Sequence, residues 1–409
     1  MKRNLVYGLA LLLSITTLAF VANAIEDTAT VLDENAVMAP IFEVDPFWPQ
    51  PLPNHWVLGS VVGVGIDAAD NVYIIHRQAP LNARTEIGAA QDPPTSECCS
   101  PAPYVLVFNP DGVLIDSWGG PAEGYSWPTS NHGISIDPFG NVWIGGNGNG
   151  DGHVLRFTNT GRFLAQYGTP GTDRGSTSTE HFGRPAKISF DAENDEVYVA
   201  DGYSNKRVAV VDINTGAIKR FWGAYGNVPS DEYTGSYDPN APLIQQFRSP
   251  VHCAEPTADG LVYVCDRPND RIQVFRKDGT FVAEKRIAPM TMGDGSTWDI
   301  AFSRDPNQQY MYLADGKNMK VYIIERETLE VLTSFGDGGR QPGQFFAVHS
   351  IATDSQGNIY TTETYEGKRI QKFVYKGLGF FDADEIKDYR ALLRFLADPN
   401  SELRTAALL

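Results

Sequence analysis

Basic residues are scarce in this chain. Lys and Arg together number 33 against 50 Asp and Glu, giving a net charge of −17. So acidic a surface repels nucleic acid and anionic lipid, which excludes those partners, and it concentrates cations, metals included. Long apolar runs are also missing beyond the first two dozen residues, so no later segment is apolar enough to span a bilayer. The one long run, Leu5 to Phe20, follows Lys2 and Arg3 and ends at Ala22-Asn23-Ala24. That order predicts a signal peptide over 1–24, with cleavage near Ile25 and a mature chain in the periplasm or medium, free of the membrane. No cysteine stands at the cleavage point, which excludes a lipid anchor there. Cysteines number four in all. In an oxidising compartment they allow three connectivities. Cys98 and Cys99 are adjacent and could form a vicinal bridge, Cys253 and Cys265 flank a turn at Asp259-Gly260 and could pair across strands, or all four could stay free.

What the chain has instead is a repeat. A segment reading apolar-x-apolar-Asp, a turn, then a short strand centred on Tyr or Trp recurs six times. Its aromatics are Tyr73, Trp143, Tyr198, Tyr263, Tyr312 and Tyr360, spaced by roughly 48 to 70 residues. The clearest copy runs from His132 to Asp137 and on from Gly140 to Ile144. A second hairpin follows each: Val105 to Trp118, His153 to Tyr167, Arg207 to Trp222, Arg271 to Lys285, Met319 to Phe335, and Arg369 to Phe373. Period-two alternation and Asp-Gly, Asn-Thr-Gly or Gly-Asn turns make these strands rather than helices. Four strands in each of six units predict an all-β, six-bladed β-propeller over 25–375. The sixth unit lacks a clear fourth strand. Ile41 to Leu58 is expected to supply it, closing the ring and removing an exposed sheet edge. Two long insertions, Gln78 to Pro103 and Gly223 to Arg248, stand out as loops with a job beyond connection. In the tail, 376–409, Ile386, Tyr389, Leu392, Leu393 and Leu396 share a face and predict a helix.

Histidine is rare too, with seven in the chain. Three of them occupy one place in the repeat, five residues before the position of Asp137: His132 in blade two, His252 in blade four and His349 in blade six. Val62, Ala186 and Trp298 stand at that place in blades one, three and five. Alternate blades of a six-bladed ring lie about 120° apart, and the first residue of each innermost strand borders the channel. Three imidazoles would therefore converge on the axis. Such a set suits Zn²⁺ or another divalent transition metal and leaves a coordination position for water or substrate. The same face receives the ends of the second strands, with Arg77, Asp201-Gly202-Tyr203, Asp266-Arg267 and Asp315-Gly316. Tyr203 is a candidate base, and Arg77 and Arg267 can clamp a carboxylate by bidentate hydrogen bonds. The three aspartates are read as turn and ion-pair residues.

These segments resemble the NHL-repeat propeller of peptidyl-α-hydroxyglycine α-amidating lyase, over roughly Val61 to Phe373. The likeness is most specific in Ile75-His76-Arg77, His132-Gly133-Ile134, Ala200 to Asn205, Val251-His252-Cys253, Cys265-Asp266-Arg267 with Arg271-Ile272-Gln273, and Val348-His349-Ser350. The resemblance implies that His132, His252 and His349 bind Zn²⁺, that Tyr203 is catalytic, and that Arg77 and Arg267 line the site. It implies cleavage of the N–C bond of an α-hydroxyglycine to an amide and glyoxylate, on a small molecule or a peptide C-terminus. The sequence departs from that family in places. The family's structural Ca²⁺ uses an aspartate directly after the third histidine, where Ser350 stands here, beside backbone carbonyls matching Val64 and Ile134. The family's cysteine beside the tyrosine is Ser204. Two other functions fit the propeller: a lactonase-type metal hydrolase, which usually relies on carboxylates and Ca²⁺, and a non-catalytic binding propeller.

Overall fold

The computed structural model describes residues 36–171 and 175–382. It contains six four-stranded antiparallel sheets. Their innermost strands are Ser60–Ile66, Asn131–Ile136, Lys187–Asp191, Val251–Pro256, Asp299–Phe302 and Val348–Thr353. Each of these touches the next, and the sixth touches the first, so the sheets close into a ring. The fold is a six-bladed β-propeller.

The repeated residues build the blades in a simple way. In blades one, two and six the aspartate after the first strand folds back over its turn, and the aromatic six residues on donates to it. Asp137 accepts from the Asn141 backbone at 2.8 Å and from Trp143 Nε1 at 2.9 Å. Tyr360 makes the same bond to Asp354 at 3.1 Å, and Tyr73 a longer one to Asp67 at 3.4 Å. An aromatic can thus be buried without orphaning its polar atom. All six marker aromatics are buried. The core consists of separate layers between successive blades. One layer, for example, joins Val105 and Val107 of blade one to Ile144 and Leu155 of blade two.

Ring closure differs from expectation in its boundary. The outer strand of blade six is Ala36–Asp45, beside Arg369–Asp382. Only 41–45 of the expected stretch takes part. Further along, Trp56–Val57 pairs in parallel with Ser100–Pro101 of the first insertion. Trp48 seals the seam, its ring 5.7 Å from Phe108 of blade one and 4.9 Å from Tyr360 of blade six. Residues 40–377 form one compact unit, and the described parts of a second are 36–39 and 378–382. Since the last strand runs to Asp382, residues 376–382 are strand rather than helix. The signal segment 1–24 and the apolar face from Ile386 to Leu396 lie outside the described residues, and among those described no helix is long and apolar enough to cross a membrane.

Candidate metal centre and its rim

Strand register brings the site together. Ser60 pairs with Arg77, and Val251 with Asp266, so first strands start where second strands end. In an antiparallel blade, the loop from strand two to three and the loop to the next blade open on that same face. Both long insertions therefore border it. At this end the ladder is interrupted: register shifts fall between Asn131 and Ile134, between Val251 and Cys253, and between Val348 and Ser350. Each skipped stretch contains one of the three histidines. A bulge re-aims a side chain out of the alternation of the strand, and here it turns the imidazoles towards the axis.

The three rings form a nearly equilateral triangle. Their centroids are 5.1 Å apart for His132 and His252, 4.8 Å for His132 and His349, and 5.0 Å for His252 and His349. One nitrogen from each lies within 4.8 Å of the others, the only such cluster of metal-ligating side chains among the described residues. His132 Nδ1 is 2.7 Å from the Ala186 carbonyl, and His252 Nδ1 meets the Trp298 carbonyl. A carbonyl only accepts, so each Nδ1 carries the hydrogen and each Nε2 presents a lone pair. Burial holds all three pKa values well below the ordinary imidazole range, helped at His132 by Arg77 and at His252 by Arg267. Two unit charges about 5 Å apart repel by roughly 3 kcal/mol even at an effective dielectric of about 20. The cluster is therefore neutral, the state a metal requires.

Tyr203 reaches over this triangle. Its Oη lies 3.0 Å from His132 Nε2 and 3.1 Å from His252 Nε2. A phenol has one hydrogen to donate, so it satisfies only one of two lone pairs. The donor set thus fits a divalent transition metal: neutral imidazoles, fixed tautomers at two of them, and more acceptors than donors. The position of Tyr203 depends on Gly202, where a Cβ would stand 2.0 Å from the Val251 carbonyl oxygen. Only glycine lets the two backbones approach this closely.

The arginines frame the rim. Arg267 stacks on Trp298, 4.6 Å from its ring centre, and its Nη1 is 3.4 Å from Tyr203 Oη. Asp294 lies 3.6 Å from its Nη2, and its buried Nε has no partner. Arg77 is held more firmly. Its Nε donates to the Asn131 carbonyl and its Nη2 to Asn147, both at 2.9 Å. That leaves three of its five N–H groups for a ligand. The nearby aspartates serve structure: Asp201 pairs with Arg207 at 2.8 Å, Asp266 with Arg271 at 2.7 Å, and Asp315 accepts from the turn at Lys317 and Asn318.

Some of the site was not singled out from sequence. Trp298 supplies both the stacking surface for Arg267 and the carbonyl for His252. Ala186 supplies the carbonyl for His132. Both occupy the histidine position of odd-numbered blades, so the repeat itself carried the signal. Tyr365 is another. Burial raises the pKa of its phenol, the charges of Arg267 and Arg77 act against that, and it follows Glu363 by two residues, as Tyr203 follows Asp201.

At the position of the resembled family's calcium-ligating aspartate the structure has a hydroxyl, already in use. The Ser350 hydroxyl donates to Asp299 Oδ2 at 2.7 Å, and Lys187 Nζ sits 2.6 Å from Asp299 Oδ1. The carboxylates nearest Ser350, Asp299 and Glu255, thus already share a fixed cation, Lys187. The four cysteines pair as Cys98–Cys99 and Cys253–Cys265, the latter directly opposed in blade four with Cα atoms 4.8 Å apart.

Fold and site together define a six-bladed β-propeller with three histidines converging on its axis. No family model matches the chain. It is 26% identical over 353 residues to the mouse protein NHL repeat-containing protein 3, covering 82% of this chain and 84% of that one. It is also 26% identical over 350 residues to Drosophila peptidyl-α-hydroxyglycine α-amidating lyase 1, covering 81% of this chain and 59% of the fly protein. A solved streptogramin B lyase superposes with a TM-score of 0.48 at 12% identity, over 84% of this chain and 98% of that one. The chain thus has distant relatives named as lyases, and spans little more than half of the fly enzyme it matches.

Proposed function

We propose that this protein is a metal-dependent lyase acting on α-hydroxyglycine-type substrates, releasing an amide and glyoxylate. The observation that carries the reading is the set of three neutral, converging imidazoles with a phenol in hydrogen-bond reach of two of them. A divalent metal held by His132, His252 and His349 would supply Lewis acidity at the substrate hydroxyl. Tyr203 Oη, which has to be a phenolate to act as base, takes the hydroxyl proton. The C–O bond becomes the aldehyde C=O of glyoxylate, the C–N bond breaks, and the nitrogen gains a proton to become the amide. Arg267, whose Nη1 lies 3.4 Å from Tyr203 Oη, binds the carboxylate, and the remaining N–H groups of Arg77 assist. The aromatic faces of Trp298 and Tyr203 exclude water from the arginine and strengthen its pairing.

The relatives named as α-hydroxyglycine lyases support this reading, as does the absence, among the described residues, of a carboxylate-rich metal cluster of the kind lactonases use. The mouse relative, aligned over most of its length, is named for its NHL repeats alone, so a binding propeller stands as the second reading. We further propose export, supported by the Lys2 to Ala24 pattern. The deciding experiment is a glyoxylate-release assay on N-acyl-α-hydroxyglycines with metal-loaded protein. Release that stops on chelation and returns with metal is expected. No release across several such compounds would favour the binding propeller.

A further inference from the structure

Two of the three histidines are oriented by carbonyls from the neighbouring odd-numbered blades, at Ala186 and Trp298. By the same symmetry the third, His349, should lean on Val62 of blade one. It does not: His349 Nδ1 is buried and has no partner. Some other device must hold that ring.

The residues immediately after three of these positions form a network beside it. Lys187 follows Ala186, Asp299 follows Trp298, and Ser350 follows His349. Lys187 Nζ lies 2.6 Å from Asp299 Oδ1 and 2.8 Å from Glu255 Oε1. Asp299 Oδ2 accepts from Ser350 Oγ at 2.7 Å and from the Ile351 backbone N–H at 3.1 Å. Glu255 in turn accepts from Ser189 at 2.7 Å. The chain of bonds crosses the axial channel and ties together blades three, four, five and six. It lies one residue below the histidine layer, above a cavity of about 480 Å³ lined by Lys187, Glu255 and the far ends of the inner strands.

We propose that Lys187, Asp299 and Ser350 form a positioning network for the metal centre, joining both carbonyl anchors to the strand that carries the unanchored His349. The proposal rests on the reading of the triad as a metal site. Its physical basis is that groups fixing a metal ligand set its direction: losing a direct partner typically lowers metal affinity by about 10- to 100-fold, and Asp299 and Ser350, acting through the strand backbone beside His349, stand at the lower end. The channel carries two carboxylates and one ammonium, so Lys187 cannot be removed without leaving buried like charges facing each other. Burial works against the ammonium, yet Asp299 and Glu255 hold its pKa above the ordinary lysine value.

The test is a Zn²⁺ affinity measurement by chelator competition, alongside thermal melting of metal-free protein. The variants are Ser350→Ala, which removes one bond and little volume, and Lys187→Met. Arg220→Met, which breaks the outlying Glu196 pair, serves as control. Ser350→Ala should lose about tenfold in Zn²⁺ affinity with a small change in melting, and Lys187→Met should lose more. Arg220→Met should lose stability without losing affinity. If Lys187→Met does not fold, Ser350→Ala alone decides. Unchanged affinity in Ser350→Ala, or equal loss in Arg220→Met, would overturn the network. Wild type that binds no Zn²⁺ would instead overturn the metal reading beneath it.

Discussion

At the scale of single residues, Tyr203 carries the sharpest consequence. Tyr203→Phe deletes one oxygen and keeps the ring that packs beside Arg267. Loss of a general base typically costs 10²- to 10⁴-fold, so turnover should fall at least about 100-fold while KM changes little; steady-state kinetics on an N-acyl-α-hydroxyglycine would show it. Arg267→Lys keeps the charge but loses the planar fork and the stacking on Trp298. It should raise KM more than it lowers kcat. Gly202→Ala is expected to act at a distance, because its Cβ cannot coexist with the Val251 carbonyl. The shift must displace Tyr203 or the backbone next to His252, so activity should fall without any change in the chemical groups present. At this scale the histidines were legible from sequence because symmetry placed them: three rare residues in one register position leave few alternatives. The carbonyls of Ala186 and Trp298 were not legible. A backbone acceptor has no residue signature, and the side chains there, one small and one large, share nothing.

At the scale of the strand and blade, the alternation of apolar residues and the Asp-to-aromatic spacing made six sheets readable. Trp143 shows how much such a marker matters. It is fully buried, bonded to Asp137, and 5.2 Å from Tyr167 by ring centroids. Trp143→Ala should destabilise by about 3–5 kcal/mol, measurable by urea unfolding. Breaking the Cys253–Cys265 bridge, which closes a short loop inside one blade, should cost about 2–4 kcal/mol. Boundaries were harder to read than blades. The closing strand begins at Ala36, in a stretch of mixed polarity, and its membership in blade six depends on a partner more than 300 residues away. The short parallel pair between Trp56–Val57 and Ser100–Pro101 left no pattern at all, since two residues cannot show a period.

For the whole molecule, the buried triad makes stability depend on pH. Each imidazole has a folded-state pKa well below its unfolded value near 6.5. Below pH 6.5 the unfolded chain binds protons that the folded chain refuses, so stability falls as pH drops, by up to about 1.4 kcal/mol per pH unit for each group. Above pH 6.5 these groups contribute no slope. Metal-free protein should therefore unfold more readily at pH 5.5 than at pH 7.5, and a variant with all three histidines replaced by Gln should lose that part of the difference. The ring geometry also explains why the central claim can be tested with one residue. His132, His252 and His349 come from three blades and lie at the axis, while the core is built of layers between successive blades, so removing one imidazole leaves the propeller intact. The direct measurement is metal content per chain, wild type against His252→Ala, on folded protein purified without chelator. The account predicts about one Zn²⁺ or similar ion in the wild type and almost none in the variant. Equal metal content in the two, or none in the wild type after loading, would contradict it.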